Sequence, residues 1–222
     1  QKVVVNERFV CRIPDSLGFM AAAPLLCAGI TTYSPIATWD VGPGDEVAVL
    51  GLGGLGHMGV QIAAAKGAEV TVLSRSLRKA DLAEKLGATR TLATSDEDFF
   101  RDHRGEYDFI LNTISAPIDL KSYLKLLKPR GVMACVGLPP EELGLPIGSL
   151  INGSKVLAGS SIGGIPQTQE MLDFCAEHHL GAWVEKIGVD EVDAAYDRVV
   201  AGDVRFRFVI DTATFEDAAP AE

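Results

Sequence analysis

The sequence predicts an α/β protein with a doubly wound parallel sheet, and three observations support this prediction. Short apolar runs alternate with segments of helical periodicity, a pattern typical of βαβ units. A glycine-rich loop joins the first of the central apolar runs to the helical segment that follows it. The composition, with 47% hydrophobic and 23% charged residues, is that of a globular domain.

The central part of the chain contains apolar runs of strand length, with helical patterns between most of them. The predicted strands cover 47–51, 69–73, 89–92, 107–113, 131–137 and 156–160. The predicted helices cover 54–66, 77–86, 96–103 and 118–127. Strands that alternate with helices form a parallel sheet, whose ligand crevice lies at the carboxyl ends of the strands.

The two ends of the chain do not follow this repeat. Near the start, 1–13 is strand-like and the charge-free stretch 16–39 predicts a buried helix. Near the end, the pattern predicts a helix at 166–180, a strand at 184–187, a helix at 190–200 and a strand at 205–211. These flanking elements therefore lie outside the parallel-sheet repeat.

Charge and cysteine content exclude several classes of protein. With 20 basic and 30 acidic residues the formal net charge is −10, which argues against a nucleic-acid partner, although a small anion needs only two or three basic groups. The four cysteines show no CxxC spacing, so we expect neither a zinc knuckle nor a disulfide scaffold, and the expected location is the reducing cytoplasm. Prolines, glycines and polar residues interrupt 16–39, so we expect no membrane span there.

The loop GLGGLG at 51–56 has the GxGxxG pattern between a predicted strand and a predicted helix. Gly51 permits a tight turn, Gly53 lets the backbone approach a pyrophosphate, and Gly56 lets the helix pack closely on the strand. The helix N-terminus adds free N–H groups and the positive end of its dipole. We therefore predict a Rossmann dinucleotide site that includes the whole loop: Gly51, Leu52, Gly53, Gly54, Leu55 and Gly56.

The end of the second predicted strand indicates which dinucleotide binds. An NAD site usually has an acidic residue ~20 positions after the loop, where it binds the ribose 2′-hydroxyl. Here the chain has Ser74, Arg75 and Ser76, with Lys79 close behind. An acid would repel a 2′-phosphate, whereas hydroxyls and cations bind it, so these four residues favour NADP(H). The missing acid also argues against a methyltransferase.

Further segments of the chain match one family of enzymes. They are LLCAGITTYSP at 25–35, GLGGLGHMGV at 51–60, SRS at 74–76, SSIGGIPQTQEMLDF at 160–174 and RFRFVID at 205–211. Together they resemble the zinc-dependent medium-chain alcohol dehydrogenases, and within them the NADP-dependent, cinnamyl-alcohol-dehydrogenase-like branch that includes bacterial aldehyde reductases. The resemblance implies hydride transfer between NADP(H) and a small alcohol or aldehyde substrate, with a catalytic zinc that polarises the substrate oxygen.

The resemblance also implies roles for individual residues. Cys27 stands at the position of the last catalytic zinc ligand, and Leu138 and Ser161 fall where the family lines its substrate pocket. Plant lignin-pathway members tend to have an aromatic residue in place of Ser161, which puts a strict cinnamyl preference in doubt. Residues implied to contact the cofactor, besides those named above, are Thr31, Thr113, Val136, Gly137, Ser160, Ser161, Ile162 and Arg207.

The family's N-terminal catalytic domain, with the other zinc ligands, has no counterpart here, and one thiolate does not hold a catalytic zinc. The start at Gln1, without Met and within a strand-like run, favours a piece of a longer enzyme. The alternative is a stand-alone, noncatalytic NADP(H)-binding module. On the first interpretation 1–20 is a remnant of the catalytic domain, 21–162 is the Rossmann domain, and 163–222 returns to the catalytic domain. The family also pairs its sheet edge across a dimer, so we expect a homodimer.

Overall fold

The computed structural model describes residues 3–215 and confirms the α/β class. A parallel sheet contains β1 (Glu46–Leu50), β2 (Glu69–Ser74), β3 (Arg90–Ala93), β4 (Tyr107–Asn112), β5 (Leu127–Cys135) and β6 (Val156–Gly159). The strand order is β3-β2-β1-β4-β5-β6, so the chain starts at the centre and winds outward in both directions. This is the order of a Rossmann fold, with its crevice where the winding reverses.

Helices cover both faces of this sheet. They are α1 (Phe19–Ala22), α2 (Ala28–Thr38), α3 (Gly56–Ala65), α4 (Ala80–Lys85), α5 (Phe99–Asp102), α6 (Leu120–Leu126), α7 (Gly148–Ile151), α8 (Ile165–Glu177) and α9 (Val192–Ala201). The core on one face contains Met58 of α3 and Met171 of α8, and the core on the other contains Leu124 of α6. The sheet is therefore buried on both sides, as parallel sheets usually are.

Strand β1 shows why an unbroken apolar run forms the centre of this sheet. Val47 and Val49 belong to one core, and Ala48 and Leu50 belong to the other. Successive side chains of a strand point to opposite faces, so a strand buried on both faces needs apolar residues at every position. Neighbours on both sides satisfy its backbone, because β1 pairs with β2 and with β4.

The prediction for the start of the chain was wrong. Residues 3–13 form no strand; they contain one turn of 3-10 helix at Glu7–Phe9. A strand needs a neighbour for its backbone, and no described strand pairs with this segment. Instead, the side chain of Gln169 on α8 accepts a hydrogen bond from the Arg12 N–H and donates one to the Arg12 carbonyl. Residues 1–2 lie outside the described part of the chain.

The predicted single helix at 16–39 is broken. It consists of α1, a turn of 3-10 helix at Ala23–Leu26, and α2, with a bend of 58° between the two halves. Pro24 lies in the 3-10 turn that precedes the bend, and α2 is buried from Ala28 to Ile36. Within residues 3–215 no single helix is long and apolar enough to cross a membrane, although this bent pair passes the test by length and composition.

A second, two-stranded sheet lies after the main one. Strand β7 (Val184–Ile187) pairs in parallel with β8 (Arg207–Ile210), and α9 connects them. The left-handed Gly202, at φ 71°, ends α9. Phe206, just before β8, is buried in the same core as α3, so this sheet places the start of β8 beside the glycine loop. The division into segments at 1–20, 21–162 and 163–222 stays a prediction, and residues 216–222 lie outside the described chain.

Candidate functional site

The loop between β1 and α3 needs glycine for two different reasons. Gly51 has φ +85° and donates its N–H to the Leu73 carbonyl, so the chain turns sharply as it leaves β1. A Cβ at Gly56 would overlap the carbonyl of Gly51, so only glycine lets α3 begin this close to the strand. A Cβ at Gly53, in contrast, would meet no atom within 4 Å. The structure therefore leaves open the side of the loop from which a pyrophosphate would approach.

Two side chains hold the loop in place. The Thr113 hydroxyl donates to the Leu50 carbonyl at 2.7 Å. The His57 Nε2 accepts a hydrogen bond from the Trp183 N–H at 3.3 Å, so its Nδ1 carries the proton and faces the Gly53 carbonyl at 3.2 Å. Burial lowers the pKa of His57 to about 4, so the imidazole is neutral at pH 7. The residue after β4 thus holds the end of β1, where the loop begins, and His57 connects the loop to the C-terminal segment.

Arg207 presents a cation to this loop. Its guanidinium lies where a Cβ on Gly54 would stand, so Gly54 leaves the space that the arginine occupies. The Arg207 Nε is buried and has no hydrogen-bond partner among residues 3–215. A buried unpaired donor is costly, and an ionised phosphate oxygen is a strong acceptor for a guanidinium. Arg207 therefore fits a pyrophosphate that binds at the glycine loop.

The end of β2 collects the polar groups predicted to hold a 2′-phosphate. Ser74 is the last residue of the strand, Arg75 and Ser76 are exposed, and Lys79 is partly buried. The Lys79 Nζ lies 3.4 Å from the Leu52 carbonyl and 5.4 Å from the ring centroid of Phe206. Within the described chain neither Arg75 nor Lys79 pairs with an acid. Both cations are available to an anion.

A cleft of about 710 Å³ brings most of the other predicted residues together. Its lining consists of Cys27, Thr31, Leu55, Cys135, Val136, Gly137, Leu138, Gly159, Ser160, Ser161, Ile162 and Arg207. Cys135 and Gly159 are the last residues of β5 and β6, so this cleft lies at the carboxyl ends of the strands. That position is where open α/β sheets bind ligands.

A second cavity of about 480 Å³ adjoins the cleft, and Arg207 lines both. Gly53, Gly54 and Lys79 line this second cavity, together with residues of α9 and β8 such as Tyr196 and Phe208. Thr113 and the Ser74–Ser76 segment line neither space, although the Thr113 hydroxyl also lies 3.5 Å from the Gly51 carbonyl of the loop. Sequence reasoning did not assign a role to Phe206 or Tyr196, whose positions depend on the second sheet.

The described residues do not form a complete metal site. Cys27 is exposed and lines the cleft at the start of α2, as a zinc ligand must. Residues 3–215 nevertheless contain no group of three or more His, Cys, Asp and Glu side chains able to hold a metal ion. A catalytic zinc takes about three protein ligands, so these residues alone do not fit one.

Comparisons with known proteins agree with this geometry. The model of the family described as zinc-binding dehydrogenase matches residues 54–177. An NADP-dependent alcohol dehydrogenase C of Mycolicibacterium smegmatis is 56% identical over 212 residues, which cover 96% of this chain and 61% of that protein. An aldehyde reductase of Escherichia coli is 48% identical over 219 residues, which cover 98% of this chain and 63% of that protein.

A solved structure shows the same architecture. The cinnamyl alcohol dehydrogenase of Helicobacter pylori, complexed with NADP(H), superposes with a TM-score of 0.87 at 40% identity, covering 95% of this chain and 60% of that one. The chain thus spans about three-fifths of the length of the relatives it matches. The family model covers more than half of the chain and includes the second half of the loop, Gly54 to Gly56, together with α3 and α8. The chain belongs to the zinc-binding dehydrogenase family.

Proposed function

We propose that this chain is the cofactor-binding part of an NADP(H)-dependent alcohol dehydrogenase or aldehyde reductase. The observation that carries the proposal is the buried, unpartnered Arg207 Nε beside Gly54, next to a loop whose Gly53 is open. A pyrophosphate there would accept from the guanidinium and from the backbone at the start of α3. When bound, NADP(H) supplies the hydride acceptor or donor, and an alcohol that gives up a hydride and a proton becomes an aldehyde or ketone.

The choice of NADP(H) over NAD(H) rests on the end of β2. Ser74, Ser76 and Lys79, with Arg75, supply two hydroxyls and two cations where an NAD site has a carboxylate. Lys79 is held near the loop by the Leu52 carbonyl and by the ring of Phe206. A 2′-phosphate carries close to two negative charges, so the cations attract it and a carboxylate would repel it.

The nicotinamide end and the substrate belong in the cleft at the carboxyl ends of β5 and β6. The neighbouring residues Val136, Gly137 and Ser160 to Ile162 would face the nicotinamide, while Leu138 and Ser161 would face the substrate. Leu138 is 87% exposed, so this side of the cleft is open in the described chain. We propose Cys27 as one zinc ligand, with the remaining ligands from outside residues 3–215.

Two further proposals concern the protein's surroundings. All four cysteines are free thiols, which suits a reducing cytoplasm.

Strand β6 is the last strand on its side of the sheet, so its outer backbone groups are available to a second copy. An unpaired edge strand invites pairing, and a homodimer formed along β6 would cover it. The sedimentation velocity of the protein tests the dimer directly.

The experiment that tests the function compares Cys27→Ser with the unchanged protein, in the longest native polypeptide that contains this chain. We expect Cys27→Ser to lose alcohol oxidation and to bind less zinc, while NADPH binding stays within about twofold, because the substitution leaves the glycine loop, Lys79 and Arg207 unchanged. Cys11→Ser is the matched control. If the native polypeptide binds NADPH but shows no activity and no zinc, the stand-alone binding module is correct instead.

A further inference from the structure

A groove outside the cofactor region is lined by four basic side chains and no acidic one. Arg104, Lys121, Lys125 and Lys155 surround a space of about 290 Å³, whose remaining lining is Pro146, Gly148, Ser149 and Asn152. We propose that this groove is a second anion site that binds a compact, multiply charged phosphoryl anion. It is independent of the cofactor site and of the proposed activity.

The groove is unusual for this chain because of its charge. The protein has a formal net charge of −10, yet four cations converge here. Elsewhere, cations such as Lys128 and Arg198 pair with acids. Among the ion pairs of residues 3–215, none involves Arg104, Lys121, Lys125 or Lys155. Like charges placed together repel each other, so an anion that neutralised them would be favoured.

The positions of these cations come from regular structure. Lys121 and Lys125 lie one turn apart on α6, so they project from the same side of the helix. The ammonium group of Lys155, just before β6, donates to the Leu124 carbonyl of the same helix. Partial burial lowers the pKa of Lys155, and the charge of Arg104 lowers it further. The carboxylate of Asp119, at the start of α6, bonds to Ser122 and to the Lys121 N–H and does not line the groove.

The groove and the glycine loop lie at opposite ends of the sheet. Arg104 precedes β4, Lys125 precedes β5 and Lys155 precedes β6, so these cations gather at the amino ends of the strands. The glycine loop follows β1 and therefore lies at the carboxyl ends. No described residue lines both the groove and the cleft or the cavity beside Arg207. A ligand in this groove is therefore not part of the cofactor.

Size and chemistry limit the ligand. The volume of about 290 Å³ is just below the ~300–1,000 Å³ of small-molecule sites, so the groove suits a compact anion rather than an extended one. Lysine ammonium groups bind phosphate as point charges, and an arginine adds a planar fork of donors. Ser149 and Asn152 add neutral hydrogen-bonding groups. Phosphoryl oxygens match this set of donors, and a long nucleic acid would need a basic surface that extends beyond it.

The test is calorimetric titration of the chain with inorganic pyrophosphate, after saturation with NADPH so that the cofactor site is filled. We compare the unchanged chain with the double variant Lys121→Gln/Lys125→Gln. Both lysines are exposed on α6, and glutamine removes their charges without adding an acid to the helix. The matched control is Arg8→Gln/Lys85→Gln, which removes two exposed charges elsewhere. If NADPH does not bind, pyrophosphate could also occupy the glycine loop. The same titration with Arg207→Met, which removes the guanidinium proposed to bind it there, then measures binding in the groove.

The unchanged chain should bind one pyrophosphate at low salt, with the affinity falling as salt is added. Loss of two cations should weaken that binding about tenfold or more, and the control variant should stay within about twofold. Equal binding by the groove variant and the control, or no binding by the unchanged chain, would overturn the proposal. Tight binding of a long single-stranded RNA but not of pyrophosphate would also overturn it.

Discussion

The imidazole of His57 stacks on the ring of Phe206, with centroids 4.8 Å apart and planes 10° from parallel. On the same imidazole, one nitrogen faces the Gly53 carbonyl and the other accepts the N–H of Trp183. Phe206 directly precedes Arg207, and Lys79 lies over its ring. One buried side chain thus connects the glycine loop with the segment that carries the cation beside it.

The first prediction concerns acid stability. His57 has a pKa of about 4 in the folded protein, against an ordinary value of about 6.5, because burial disfavours its charged form. Between these values the unfolded chain binds the proton and the folded chain does not, so stability falls as the pH drops from 6.5 towards 4. The shift corresponds to about 3 kcal/mol at the acid end. Urea unfolding at several pH values measures it.

The variant His57→Gln should lower stability at pH 7, where it disturbs the stack on Phe206, yet lose less stability than the unchanged chain as the pH falls. The exposed His178, replaced by Gln, is the control and should keep the full pH dependence. An unchanged pH dependence in His57→Gln would contradict the assignment of this loss to the buried imidazole.

The second prediction separates the folding role of the loop glycines from their binding role. Gly56→Ala places a methyl group against the Gly51 carbonyl, so we expect a loss of about 1–3 kcal/mol or more in unfolding free energy. Gly53→Ala meets no atom within 4 Å, so its thermal midpoint should match that of the unchanged chain. The new methyl group would nevertheless stand where the pyrophosphate approaches, and NADPH binding should weaken about tenfold or more. Normal NADPH binding by Gly53→Ala would contradict the proposed path of the cofactor.

The third prediction concerns cofactor choice. Ser74→Asp places a carboxylate at the end of β2, where it repels a 2′-phosphate and can accept from a 2′-hydroxyl. We expect NADPH binding to weaken about tenfold or more and NADH binding to stay equal or improve. Ser76→Ala, which removes a hydroxyl without adding charge, is the milder comparison. Fluorescence titration with both cofactors gives the ratio, and equal losses for both would refute the assignment of the 2′-phosphate.

The fourth prediction is that Arg207 strengthens NADPH binding but lowers the stability of the folded chain. Its Nε is buried without a partner in the described chain, a situation that costs about 1–3 kcal/mol. Arg207→Met keeps an apolar stem without the unpaired donor, so its thermal midpoint should equal or exceed that of the unchanged chain. NADPH binding should weaken about tenfold or more, because the pyrophosphate loses its guanidinium partner. A clear drop in stability would instead show that Arg207 is needed for folding.

Much of the fold followed from local patterns, because the central strands β1, β2 and β4 are largely short apolar runs between helical or turn segments. The loop at 51–56 was predictable for the same reason, since its glycines lie next to each other in sequence. The strand predicted at 1–13 shows the limit of such patterns. The segment does contain several apolar residues, but a strand forms only where a neighbouring strand bonds to its backbone. No described strand pairs with this segment.

The links that shape the site were harder to predict. The hydrogen bond between His57 and Trp183 joins residues 126 positions apart, and nothing near either residue in sequence signals it. The resemblance of RFRFVID to related enzymes implies that Arg207 contacts the cofactor, but the space that its guanidinium occupies depends on Gly54, far away in sequence. Long-range packing decides such contacts, and local periodicity carries no information about them.

The most direct test of the central claim is a titration of the unchanged chain with NADPH and with NADH, followed by the fluorescence of the reduced nicotinamide. We predict one saturable site per chain, with NADPH bound about tenfold or more tightly than NADH because Lys79 and its neighbours attract the 2′-phosphate. Failure to bind either cofactor, or tighter binding of NADH, would contradict it.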